Sequence, residues 1–298
     1  MALGGRLVQH PVDLYGSAHV APRPLPDSPG PGGVLLLGSR ILVGVIRRRV
    51  LIGLGKTYGL FLGVVLTAAR RLGASRLPAG PAPTLGVLVA SHVAFVGIWL
   101  GPVGPAVVAA AGIGAAALAR SRLRHRPVSD AERRLAERVF GPADWFDDVV
   151  LTDLPGRGGR AFVVPGADGR TYVNLGARID ATLEPGGSAY PAPGQLLVHE
   201  LVHAWQVAHA RSAASYLRDA MAVQVRGELG EDVYRLRETG DAHHPWADLD
   251  MERQATIVDR WFGGQYSPAG LPCDPDSPYA ALTAQVRAGG TADAGGSG

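Results

Sequence analysis

Residues 84–119 form a run of 36 positions with no Asp, Glu, Lys or Arg. No other feature narrows the fold so far. About 20 apolar residues span a bilayer as a helix, and soluble cores rarely need so long an uncharged stretch. A cluster, Gly101-Pro102-Val103-Gly104-Pro105, divides the run into limbs 84–100 and 106–119. Each limb is short for a full crossing. The run therefore reads as a helical hairpin, or as one span with an apolar shoulder. Arg70, Arg71 and Arg76 precede it, and Arg120, Arg122, Arg124 and Arg126 follow it. Short cytoplasmic flanks are enriched in Arg and Lys. A hairpin places both clusters, and the domain after Arg126, on that side. His92 lies inside the run and is expected to pair with a backbone group.

The net charge of +3 conceals two unlike halves. Residues 1–126 hold 14 Lys+Arg and two acids, Asp13 and Asp27, a net of +12. Residues 127–298 hold 15 Lys+Arg and 24 Asp+Glu, a net of −9. A basic half points to nucleic acid or to an anionic membrane. Here the arginines alternate with long aliphatic runs and aromatic stacking residues are few, so membrane lipid is the expected partner and nucleic acid is not. Residues 34–69 are apolar but interrupted by Arg40, Arg47, Arg48, Arg49 and Lys56. They read as a basic amphipathic surface helix, or as an imperfect span beginning near Val50. Residues 1–33 end in PRPLPDSPGPGG and read as a flexible lead-in, with no early apolar stretch for a cleaved signal. The single cysteine, Cys273, excludes an internal disulfide and any multi-cysteine metal site.

Residues 34–126 are thus expected to be membrane-associated helices, and residues 127–271 a compact α+β domain. Ser129-Asp130-Ala131-Glu132 is a capping box that opens a helix reaching Phe140. Short β-like runs follow at 149–152, 161–164 and 171–175, the last two joined as a hairpin through Pro-Gly and Asp-Gly turn signals. Helices are expected at 195–213, 215–226 and 231–238. A last helix, capped by Asp248 or Asp250, runs through Phe262. Residues 272–298 read as a turn-rich, disordered tail.

The chemistry lies at His199-Glu200-Leu201-Val202-His203, within LLVHELVHAWQ. Two His four residues apart project from one side of a helix, because four residues turn about 400°. Both imidazoles can bind one Zn²⁺, and Glu200 beside them can take a proton from water held by the metal. Composition alone yields such a match about once in a hundred chains of this kind. A third ligand is needed. His209 completes a longer His pattern, but Gln206 replaces its helix-breaking Gly. In an unbroken helix His209 faces away from His203. His243 and His244 precede Pro245 in a loop. Glu252 opens the last helix, and a carboxylate from a second helix completes a His₂Glu site, so it is the favoured choice. Tyr234, His243 and His244 are candidates to stabilise an oxyanion.

LLVHELVHAWQ followed by MERQATIVDRWF resembles the zincin-type metallopeptidase domains associated with bacterial contractile injection systems, over residues 129–263. That resemblance implies a small zincin-like fold, zinc as cofactor, and a peptide or protein substrate. It implies His199, His203 and Glu252 as ligands and Glu200 as catalytic base. In such helices an acid four residues after the ligand Glu often orients a His. Here that position is Thr256, which leaves the task to Asp259, about one turn on, or to another acid. Substrate usually lies along an edge strand in such enzymes, which makes 171–175 the candidate. The expected function is membrane-anchored zinc peptidase, with its catalytic domain in the cytoplasm. The alternative is a non-catalytic, membrane-tethered interaction module that retains the zinc site.

Overall fold

The computed structural model describes residues 31–73, 80–97, 103–236 and 244–287. Three apolar helices come first: α1 (Pro31–Gly73), α2 (Pro81–Val96) and α3 (Gly104–Arg122). Two stretches are long and apolar enough to cross a membrane, Gly44–Leu72 at a mean hydropathy of 1.7 and Gly104–Arg122 at 1.3. α2 is apolar but shorter.

α2 and α3 form the antiparallel hairpin that the Gly-Pro cluster predicts. Small residues set its closeness. A Cβ on Gly86 would stand 2.8 Å from the Gly112 carbonyl oxygen, and one on Gly112 would stand 2.9 Å from Ala90 Cβ. Such small-residue contacts let the two helix backbones approach closely. His92 differs from its expected backbone pairing. Its Nδ1 lies 2.7 Å from the Tyr58 hydroxyl of α1, a side-chain partner that only the packing of α1 against α2 supplies.

α1 is one continuous helix despite its internal arginines. From Val50 onward its side chains divide between two sides. Val50, Leu54, Leu60 and Val64 are exposed. At 100° per residue they lie opposite Gly55, Gly59, Gly63, Leu62 and Leu66. Leu62 and Leu66 are buried, in a cluster with Ala167, Tyr216 and Leu217. Residues beyond 126 therefore share a core with α1. The sequence boundary at 126–127 is not a packing boundary, because this second cluster joins the two sides.

The rest of the chain is mixed helix and sheet. Strands β1 (His125–Pro127), β2 (Val149–Thr152), β3 (Phe162–Pro165) and β4 (Thr171–Asn174) form one sheet in the order β1-β2-β4-β3. β2 and β4 are parallel, and the other neighbours are antiparallel. β4 is therefore an interior strand, which corrects the assignment of 171–175 as the substrate edge. The sheet edge beside it is β3. Helix α4 (Asp130–Phe140) precedes β2, and α5 (Gln195–His209) packs on β3 and β4. α6 (Ala213–Glu228) and α7 (Met251–Phe262) follow.

The helix expected over 195–213 breaks at residues 210–212, because Ser212 and Ser215 form a reciprocal capping box that starts α6. Gly230, at φ 83°, follows the end of α6, and residues 231–236 of the expected helix 231–238 are irregular, with one turn at 233–234. Residues 272–287 are not a loose tail. They form turns and α8 (Ala280–Arg287), and Tyr279, Leu282 and Val286 enter the main core. Residues 288–298 lie outside the described residues, as do residues 1–30 of the lead-in.

Glu132 ties the start of this domain together. It is 1% exposed. Its carboxylate accepts from Ser129 N–H at 2.7 Å, from both Arg126 terminal nitrogens at 2.7 Å, and from the Thr182 hydroxyl. Burial alone would raise its pKa, but Arg126, Thr182 and Ser129 outweigh burial and hold it at about 2. A carboxyl held below its ordinary 4.5 contributes stability that is complete above that value and is lost as the pH falls towards 2. Glu132→Gln is expected to cost about 3 kcal/mol at neutral pH. Urea unfolding at several pH values checks this: wild type should lose the advantage between about pH 4.5 and 2.

Candidate metal centre

The site is built where α7 crosses α5. α5 is buried along most of its length, with Leu197, Val198, Leu201, Val202 and Trp205 in the core. That burial fixes the direction of His199 and His203. α7 starts at Asp250, whose side chain accepts from Arg253 N–H at 3.0 Å. This cap places Glu252 in the first turn of α7, facing α5. Its Oε2 lies 3.5 Å from His199 Nε2 and 3.4 Å from His203 Nε2.

His199, His203 and Glu252 are the group among the described residues that could hold a metal ion, their ligand atoms all within 4.8 Å of one another. A tetrahedral ion with bonds near 2.0–2.1 Å separates its ligand atoms by about 3.3 Å. The two His–Glu separations match that spacing. The backs of both imidazoles are occupied. His199 Nδ1 lies 2.7 Å from Asp259 Oδ2, and His203 Nδ1 lies 2.8 Å from Gln206 Oε1. Gln206 Nε2 donates to the Met251 carbonyl and to Gln254 Oε1, so its Oε1 accepts from His203. With the proton on Nδ1, a neutral ring of either His would turn its Nε2 lone pair to the common centre. Without an ion, burial opposes the charged rings, but Asp259 and Glu252 at His199, and Glu252 at His203, outweigh it and raise both pKa values. Asp259 is itself held by Gln195 Nε2 at 2.9 Å.

Glu200 is 4% exposed, and its Oε2 has no hydrogen-bond partner; Glu252 Oε2 likewise has none. Burial raises the Glu200 pKa above the ordinary carboxylate range. Burial would also raise that of Glu252, but His203 and His199 outweigh it and hold it down. Two orphaned carboxylate oxygens beside two buried imidazoles are the donor set a divalent cation satisfies. The residues fit a bound metal.

The other candidates are elsewhere. His209 Nδ1 lies 2.8 Å from the Trp205 carbonyl oxygen, and its ring stacks on Trp205. His244 is exposed, and His243 lies outside the described residues. Thr256 does not replace the orienting acid; Asp259 does, one turn further along α7. Tyr234 reaches the site, its ring centroid 6.2 Å from that of His199. Burial, then Glu252, pushes its hydroxyl up to about 12.

Sequence reasoning missed Tyr190, Gln195 and Gln206. Tyr190 stands edge-on to His199 with centroids 5.5 Å apart, and burial raises its pKa. The two glutamines had a local signal, three residues after His203 and four before His199. Tyr190 had none, because a loop brings it there.

Compared with protein-family models, with curated proteins and with solved structures, the chain matches none.

Asp259→Ala is expected to weaken metal affinity about 10–100-fold while leaving the circular dichroism spectrum unchanged. Competition between the protein and a chelating dye measures it. Unaltered affinity would show that the Asp259–His199 contact does not orient the ligand.

Proposed function

We propose that the chain is a membrane-anchored, zinc-dependent metallopeptidase of the zincin type, with its metal domain in the cytoplasm. The observation that carries this reading is the convergence of His199, His203 and Glu252 beside the unpartnered carboxylate of Glu200. A His₂Glu donor set suits zinc. Zinc bound there would polarise a peptide carbonyl and bring the pKa of a water to about 7.

The chain's own groups then have definite tasks. Glu200, with its raised pKa, accepts the proton of the attacking water and passes it to the leaving amine. Asp259 and Gln206 keep the two imidazoles in one tautomer and one orientation. Tyr190 and Tyr234 remain protonated at neutral pH and can donate to a developing oxyanion. The substrate is a peptide or protein segment.

Membrane anchoring is supported by the two long apolar helices and by where large apolar side chains are exposed. Among the described residues, thirteen of the sixteen exposed ones, from Val45 to Leu118, fall on α1–α3 or beside them. The hairpin brings Pro81 of α2 near Arg120 of α3, which favours a cytoplasmic side for both Arg clusters. After alkaline carbonate extraction the full chain is expected in the membrane pellet. Its release to the supernatant would rule out membrane-spanning segments.

The burial of the site favours a second reading. His199, Glu200 and His203 are 3%, 4% and 6% exposed, as in a metal module without turnover. Glu200→Gln separates the two. It should keep one zinc per chain by metal analysis and lower peptide hydrolysis by about 10²–10⁴-fold, whereas His199→Ala should lose the metal. Zinc in both wild type and Glu200→Gln, with hydrolysis by neither, would establish the module.

A further inference from the structure

β3 is the sheet edge beside the metal centre, and its hydrogen-bonding pattern is determined by its turn. Gly166 N–H donates to the Arg170 carbonyl at 2.6 Å. In the β3–β4 register Val164 lies opposite Tyr172, and Val163 opposite Val173. Bonded and non-bonded pairs alternate along an antiparallel ladder. The 164–172 and 162–174 pairs therefore bond to each other, and the N–H and carbonyl of Val163 point outward. Pro165, the next outward residue, has no N–H. Val163 is the strand's central docking point for an added extended chain.

That point is already occupied. The Tyr216 hydroxyl of α6 donates to the Val163 carbonyl at 3.2 Å. Tyr216 is 6% exposed and lies in the field of Glu252 and Glu200, so the covered edge adjoins the metal ligands. α6 is in turn held from behind by α1. A Cβ on Gly59 would collide with the Leu217 carbonyl, and one on Gly63 with the Ala214 backbone. On Gly55 it would stand 2.8 Å from Val225 Cγ2. At Gly59 and Gly63 only glycine permits this seam. Arg226 anchors the far end of α6 to the α7 cap, Asp250, at 2.5 Å.

We propose that α6, clamped by the glycine seam of α1, is a built-in cover over the β3 edge at Val163, the edge along which a zincin-type peptidase would align its substrate. The proposal rests on the peptidase reading. In the closed state Tyr216 takes the hydrogen bond that a substrate N–H would make. Peptide binding then requires α6 to move from β3, and the seam sets how readily it does so.

The test uses the full chain in detergent, with Tyr216→Phe, which removes only the hydroxyl, and Gly59→Leu, which wedges the seam. Hydrogen exchange is followed over residues 161–165 and 213–228, and hydrolysis is followed with a quenched fluorogenic library of random octapeptides. Both variants should raise exchange in both segments at least about three-fold, with α5 unchanged. Both should lower KM at least about three-fold with kcat nearly constant, because the cover competes with substrate rather than with chemistry. Unchanged exchange at β3 would overturn the cover, even if wild type cleaves peptide. A loss of thermal stability with KM unchanged would mean that Tyr216 is only a packing residue, and would overturn it too. Absence of cleavage in every form would instead overturn the peptidase reading, and with it the docking role of β3, whatever exchange shows.

Discussion

Removing charge from water is expensive, and the contact between α5 and α7 is organised by that cost. A buried carboxylate or imidazolium loses several kcal/mol of hydration unless partners replace it. At this contact the replacements are layered. Asp259 and Gln206 take the inner nitrogens of His199 and His203. Gln195 holds Asp259, and Gln254 and the Met251 carbonyl hold Gln206. The outer nitrogens of both imidazoles face only Glu252 Oε2, at 3.4–3.5 Å, and Glu200 Oε2 has no hydrogen-bond partner. Partners on one side and open lone pairs on the other give the cluster its direction. That asymmetry distinguishes it from an ordinary buried ion pair, in which every group would be satisfied by its neighbours.

The same domain is fastened to an apolar helix by glycine. α1 presents exposed aliphatics on one side and a Gly55–Gly59–Gly63 ridge on the other. A helix with two such faces packs on protein along one and leaves aliphatic side chains uncovered along the other. The ridge matters because backbone contact is rigid; a larger residue at Gly59 has nowhere to go but into the Leu217 carbonyl. α6 lies between this ridge and the β3 edge, so the apolar half of the chain is coupled structurally to the surroundings of the His199–His203–Glu252 group.

Much of the fold was legible where its cause was local. The capping box at Ser129, the β3–β4 hairpin and the α2–α3 hairpin all formed where turn residues and apolar runs placed them. His199 and His203 share a side of α5 because helix geometry alone demands it. Glu252 was reachable by donor chemistry, since a His₂ pair needs a third oxygen or nitrogen. The misassignments share a different cause. Residues 171–175 carry the pattern of any strand, and nothing local says that β2 pairs on their other side. The turn-rich composition of residues 272–287 hides Tyr279, Leu282 and Val286, whose burial depends on α4 and α7 being nearby. His92 found Tyr58, 34 residues away, in place of a backbone carbonyl.

By itself the sequence determined the apolar helices, the charge asymmetry and the pair of imidazoles on one helix. Each follows from composition or from a period of about 3.6 residues, which do not depend on distant contacts. Tertiary structure decided which acid completes the cluster, which groups orient it, and which strand edge lies beside it. Those outcomes depend on how α5, α6 and α7 pack, and packing is set by the shapes of surfaces far apart in the chain. Tyr190 is the clearest case: a loop residue with no motif or period, brought against His199 only because the segment from Gly186 to Gly194 folds back on itself before α5 begins.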